Sequence, residues 1–149
     1  MFHITGWKMG YVLAPANLMV EFRKTHQFIV FSSNTPAQVA FHEYMKDESH
    51  YLELGNFYQE KRDYFIKGLK GSRFSFTPAA GTYFQLLDYS KIADEKDTEF
   101  AIRLTKENKI ASIPVSVFYN REVDNKVLRF CFAKKKETID KALEILQKV

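Results

Sequence analysis

The segment Val127-Leu128-Arg129-Phe130-Cys131-Phe132 places one guanidinium inside an otherwise apolar, strand-like run. If both faces of that strand are buried, the charge is costly unless an anion sits opposite it. The planar fork of an arginine matches a carboxylate bidentately. Two anions fit: an Asp or Glu of the same chain, or the carboxylate of a ligand. A second cation, Lys8, follows a glycine turn in Thr5-Gly6-Trp7-Lys8. A lysine so placed can meet a phosphate as a point charge or stand as an ordinary surface residue, because Gly-x-Lys by itself has little specificity.

Other chemistries find no support in the residue spacing. His3, His26, His42 and His50 are scattered, with no Cys or second His close enough to share a metal, so no metal site is expected. His42-Glu43 opens like a zinc-protease motif, but position 46 is Lys46 and not the second histidine, which leaves His42 as helix surface. No Gly-x-Ser-x-Gly elbow and no glycine-rich phosphate loop is present. Cys131, the single cysteine, has no internal disulfide partner and is expected to pack in the core of its apolar run.

The elements that must position these groups are those of a globular α/β chain. Its 149 residues are 46% hydrophobic and include fourteen Phe and eight Tyr, enough apolar surface for a real core. No apolar run approaches the roughly 18–20 residues of a membrane span, and no basic, then hydrophobic leader opens the chain. A cytoplasmic protein without membrane contact is the expectation. The net charge of +4 is spread through interleaved acids and bases, and the cluster Lys134-Lys135-Lys136 stands beside a helix start, so no nucleic-acid partner is expected.

Periodicity predicts a short strand at Tyr11–Ala14 and a helix from Asn17 to about Gln27. Thr35-Pro36-Ala37-Gln38 reads as a helix start with Thr35 as cap, followed by an apolar face of Ala37, Ala40, Phe41 and Tyr44. The polar stretch from Lys46 to His50 is the expected hinge. Beyond it the pattern predicts a long helix from Tyr51 to Leu69, strands at Phe74–Phe76 and Thr82–Asp88, and a helix from Thr98 to Asn108 behind Asp97. Strands at Ile110–Ile113 and Val127–Phe132 and a closing helix from Glu137 complete the pattern. Helices on a small sheet result, preceded by a leading piece that ends near Met45.

Four segments taken together carry a resemblance. Phe2-His3-Ile4-Thr5-Gly6-Trp7-Lys8-Met9-Gly10-Tyr11, Gly81-Thr82-Tyr83-Phe84, Ile113-Pro114-Val115-Ser116-Val117-Phe118-Tyr119 and Leu128-Arg129-Phe130-Cys131-Phe132 stand in the order found in class I, fold type I aminotransferases. The chain looks closest to the branch of kynurenine and bacterial methionine aminotransferases, from Phe2 to its end.

The resemblance implies pyridoxal phosphate as cofactor of the parent protein, with Lys8 matching the lysine that meets its phosphate. The Schiff-base lysine of the family stands eight residues earlier, immediately before Met1, so the chain holds no catalytic lysine at that place. By the same resemblance Arg129 binds the substrate α-carboxylate, and Phe31 matches an aromatic that reaches the neighbouring subunit's active site in a homodimer. Residues 1–45 would close the large cofactor-binding domain with a last strand and helix, and residues 46–149 would be the small domain. The implied reaction moves an amino group from a sulfur-containing or aromatic amino acid to a 2-oxo acid. The residues that hold the cofactor ring in the family are missing, and the fragment alone is expected to be inactive. The alternative is a non-catalytic carboxylate-binding or regulatory module with the same small-domain fold.

Overall fold

In a computed structural model that describes residues 4–121 and 123–149, the chain divides into two units, Met1–Leu54 and Gly55–Val149. The described part of the first unit is helical. A 3-10 turn, Thr5–Trp7, is followed by α1 (Ala16–Ile29), α2 (Thr35–Tyr44) and the single-turn α3 (Ser49–Leu52). Tyr11–Ala14 is not a strand: it is an exposed connection, with Leu13 88% accessible, because the described residues of this unit offer no strand to pair with it. The expected strand and helix therefore reduce to helices here.

Helix α2 starts as the sequence suggests, with one correction. Asn34, not Thr35, is the cap: its Oδ1 accepts from the Ala37 backbone N–H at 3.1 Å, and Pro36 falls within the first turn, where its missing N–H costs nothing. At the expected hinge, Asp47 Oδ1 accepts from Ser49 N–H at 3.0 Å and from Ser49 Oγ at 2.7 Å. Those bonds hold the Asp47 carboxyl below its usual range. Because α3 forms there, the long helix expected from Tyr51 begins instead as α4 (Leu54–Gly68).

The second unit is a three-stranded antiparallel sheet, β1 (Phe84–Asp88), β2 (Ile113–Pro114) and β3 (Val127–Cys131), in the order β1-β3-β2. Register sets its faces. Gln85 lies opposite Phe130 and Leu87 opposite Leu128, and these four point into the core. Side chains alternate along a strand, so Phe84, Leu86, Arg129 and Cys131 point out on the other face. Helices α4, α5 (Asp97–Asn108) and α6 (Lys136–Leu146) close the core through Phe65, Phe100, Leu104, Ile139 and Leu146. α4 and α6 approach closely at Gly68, where an added Cβ would collide with the Leu143 side chain.

Three expected strands shrink. Phe74–Phe76 contributes one bridge, Ser75 to Asp88. Ile110–Ile113 pairs only at its end, where Ile113 meets Arg129 and Pro114 meets Leu128. Proline has no N–H to extend that ladder. Thr82 takes a left-handed φ of 71°, so β1 starts two residues later, at Phe84.

Gln85 and Asp97, each 1% accessible, are both satisfied. Gln85 accepts from Ala79 N–H at 3.0 Å and donates to the Thr77 and Leu86 carbonyls at 2.8 and 2.9 Å. Asp97 accepts from Ser116 N–H at 2.8 Å and from Ser116 Oγ at 2.6 Å. Tyr89 packs its ring 4.3 Å from that of Phe100, donates its hydroxyl to the Glu95 carbonyl at 2.9 Å, and is pushed above the usual tyrosine range by burial.

Candidate functional site

Arg129 is on the outward face of β3, half-buried, so the expectation of a strand covered on both sides is corrected: its faces alternate. Cys131 is corrected for the same reason. It shares the outward face and is exposed, not packed in the core. Among the described residues no carboxylate pairs with Arg129. The ion pairs of this unit engage Arg62, Arg103 and Lys126 instead. What meets the guanidinium is aromatic: its central carbon lies 4.8 Å from the ring centre of Phe84 and 5.3 Å from that of Phe118.

That arrangement follows from the register. Leu86 is directly opposite Arg129, so Phe84, two residues away on the same face, is its diagonal neighbour and within reach of a long side chain. Phe118 comes from a 3-10 turn, Ser116–Phe118, which follows β2. Rings hold a guanidinium by cation–π attraction and take none of its N–H groups. Those donors stay free for an incoming carboxylate. Arg129 also lines a cleft of about 530 Å³ with Phe84, Ile113, Cys131 and Lys141, and Ser112 Oγ, buried and without a hydrogen-bond partner among the described residues, lines it too. The cleft suits a small anion with an apolar part.

Lys8 and Phe31 belong to the first unit, Arg129 to the second. Lys8 takes a left-handed φ of 54° at the end of the Thr5–Trp7 turn, and its N–H bonds the Thr5 carbonyl at 3.2 Å. Trp7 fixes that turn on α2, edge-on to Phe41 at 5.8 Å. Lys8 is exposed, and among the described residues no acidic group pairs with it, so its ammonium is free for a phosphate. Phe2 and His3 of the same motif lie outside the described residues.

Phe31 follows α1 with φ 65° and its side chain 82% accessible. A left-handed conformation costs a non-glycine residue about 1–2 kcal/mol, and an exposed phenyl gains nothing in return within this chain. Phe31→Gly is therefore expected to stabilise the chain by about 0.5–1 kcal/mol, after glycine's greater freedom when unfolded is subtracted. Urea unfolding checks this. A loss of stability would mean that Phe31 packs usefully within the chain.

Sequence reasoning did not single out Phe84, Phe118, Asp97 or Ser116 as parts of this site. Phe84 was within reach, as the residue diagonal to Arg129 once the strands are aligned. The Asp97–Ser116 contact joins residues 19 apart and leaves no periodic trace. Among the described residues no group of His, Cys, Asp and Glu gathers to hold a metal. No helix of the described residues is long and apolar enough to cross a membrane.

A helix-covered antiparallel sheet thus presents, beside a cleft, an arginine that meets two aromatic rings and no carboxylate among the described residues. Comparison with known proteins supplies the family. The sequence model of class I and II aminotransferases matches residues 1–146, and the chain belongs to that family. It is 46% identical over 149 residues to a methionine aminotransferase of Escherichia coli (strain K12), covering 99% of this chain and 39% of that protein. It is 32% identical to a kynurenine–oxoglutarate transaminase of Dictyostelium discoideum, again over 99% of this chain and 39% of the other. An E. coli crystal structure with methionine aminotransferase function superposes with a TM-score of 0.91 at 45% identity, over 99% of this chain and 39% of that one. The chain thus spans about two-fifths of the length of these relatives. Over that share, the E. coli structure has the fold described here, helices and a small sheet.

Proposed function

We propose that this chain is the C-terminal part of a pyridoxal-phosphate aminotransferase that moves an amino group from methionine or an aromatic amino acid to a 2-oxo acid. The observation that carries the reading is Arg129, unpaired and framed by Phe84 and Phe118 on a motif strand of a family whose substrates bear carboxylates. Methionine is favoured by the 46% identity to the E. coli methionine aminotransferase. In this account residues 1–45 end the large domain and residues 46–149 form the small domain, in a cytoplasmic homodimer.

Each of the chain's own residues then has a task. Arg129 binds the substrate carboxylate through two parallel N–H···O bonds, which fixes the orientation of the Cα–H and Cα–N bonds. Phe84 and Phe118 hold the guanidinium plane and keep water from one side of it. Lys8 neutralises the cofactor phosphate as a point charge. Phe31, strained and exposed, reaches toward the partner subunit's site. Pyridoxal phosphate, when bound, supplies the electron sink for the transfer. One lysine on an open turn fits its phosphate, and in this reading the ring contacts and the Schiff-base lysine come from a segment before Met1.

The chain by itself is then without turnover. The test is steady-state transamination of methionine by the purified 149-residue chain with added pyridoxal phosphate. Activity no greater than that of cofactor with a lysine-free control protein is expected. Enzymatic turnover above that control would show that the chain is a complete catalyst and that the lysine assignment is wrong.

A further inference from the structure

Phe118 is 62% accessible, so burial does not fix its ring over Arg129. Its place depends on the backbone of Ser116–Phe118, a three-residue 3-10 turn held internally by Phe118 N–H to Val115 O at 3.2 Å and Tyr119 N–H to Ser116 O at 3.0 Å. So short a turn is marginal alone. Its anchor is Asp97, 1% accessible in the first turn of α5, which grips Ser116 through both carboxylate oxygens, one on the backbone N–H and one on Oγ. A buried carboxylate is costly unless fully hydrogen-bonded, and here its bonds are spent on the residue two before Phe118. A purely apolar helix start would have sealed the core as well, but would have left the turn unanchored.

We propose that Asp97 and Ser116 are a positioning pair for the anion site: they hold the Ser116–Phe118 turn so that the Phe118 ring keeps the Arg129 guanidinium ordered for a carboxylate. This rests on the proposed role of Arg129 for its consequence in binding, while the positioning itself can be read without any ligand. Without the anchor the turn shifts, Phe118 leaves the guanidinium, and Arg129 must be ordered again each time a ligand binds.

The first readout is the Arg129 Nε–Hε signal in ¹⁵N NMR spectra of the full chain, which senses the ring current of Phe118. Phe118→Leu sets the full displacement. Ser116→Ala, which keeps the backbone bond to Asp97, is expected to move the signal at least about halfway to that value, and Ser116→Thr, which keeps the hydroxyl donor, to leave it in place. If Ser116→Ala loses its thermal transition, Ser116→Cys, with its weaker donor, is read instead and should give a smaller displacement in the same direction. A signal unmoved by the Ser116 variants and by Asp97→Asn, while Phe118→Leu moves it, overturns the proposal. So does a signal that Phe118→Leu fails to move.

Titration of the same samples with methionine gives the second readout. Ser116→Ala is expected to weaken binding about two- to fivefold, the value of one exposed cation–π contact, with recovery in Ser116→Thr. Wild-type chain that fails to bind methionine, with the Nε–Hε shifts behaving as expected, would remove the carboxylate role of Arg129 and leave the positioning pair standing. Binding that is unchanged in Ser116→Ala despite a displaced signal would show that the ordered ring does not serve the anion, and would overturn that part of the proposal.

Discussion

Arg129→Ala is expected to lower kcat/KM for methionine by about 10²–10³-fold in the parent enzyme, since a desolvated, hydrogen-bonded charge pair is worth roughly 2–5 kcal/mol when one partner is cut away. The same change should leave stability nearly untouched. Arg129 points away from the core, and among the described residues it gives up no ion pair, only its contacts with Phe84 and Phe118. Arg129→Lys separates charge from geometry. It keeps the cation but loses the planar fork, so most of the loss should remain. A variant with ordinary kcat/KM and a lowered melting temperature would instead make Arg129 a structural residue.

Phe100→Ala is the second large effect, and it falls on the opposite quantity. Phe100 is fully buried between the sheet and α5, with the Tyr89 ring 4.3 Å away and the Arg103 guanidinium carbon 4.9 Å from its centre. Truncation leaves a cavity in a core cluster whose members, Leu87, Leu104 and Leu128 among them, are anchored on three different elements and cannot all move in to fill it. A loss of about 3–5 kcal/mol follows. That is a large share of the 5–15 kcal/mol that holds a typical domain folded. Phe118→Ala is the internal control: the ring is 62% accessible, so its removal should cost less than about 0.5 kcal/mol. Equal losses at the two positions in urea unfolding would contradict the assignment of the core.

The helices were legible because their periodicity is local. Ala37, Ala40, Phe41 and Tyr44 share one face of α2, and Ile139, Ala142 and Leu146 one stripe of α6, and both helices form. The strands were less legible, because a strand exists only when another pairs with it. Tyr11–Ala14 has the composition of a strand and no partner among the described residues, and Phe74–Phe76 meets β1 through a single bridge. Cap identity depended on backbone geometry one residue away: Asn34 and Thr35 are both good caps, and only the bond to Ala37 decides between them.

The site divides in the same way. Arg129 was conspicuous as a charge in an apolar run, and Lys8 as a cation after a glycine turn. The reason first given for Arg129, burial on both sides of its strand, is replaced by a different one: a half-open face on which two rings flank the guanidinium and no acid neutralises it. The pattern puts Asp97 just ahead of its helix, and the structure makes it the first residue of α5. Its carboxylate turns to Ser116, a contact that depends on how α5 packs beside β2.

The account turns on where the Schiff-base lysine lies, and the most direct measurement is the DNA sequence immediately upstream of the first codon, read in the same frame in the source genome. The account predicts an open frame that continues upstream, with a lysine codon directly before that of Met1, eight residues ahead of Lys8. A stop codon or unrelated sequence in that frame would contradict it, and would leave Arg129 as the anion site of a free-standing module.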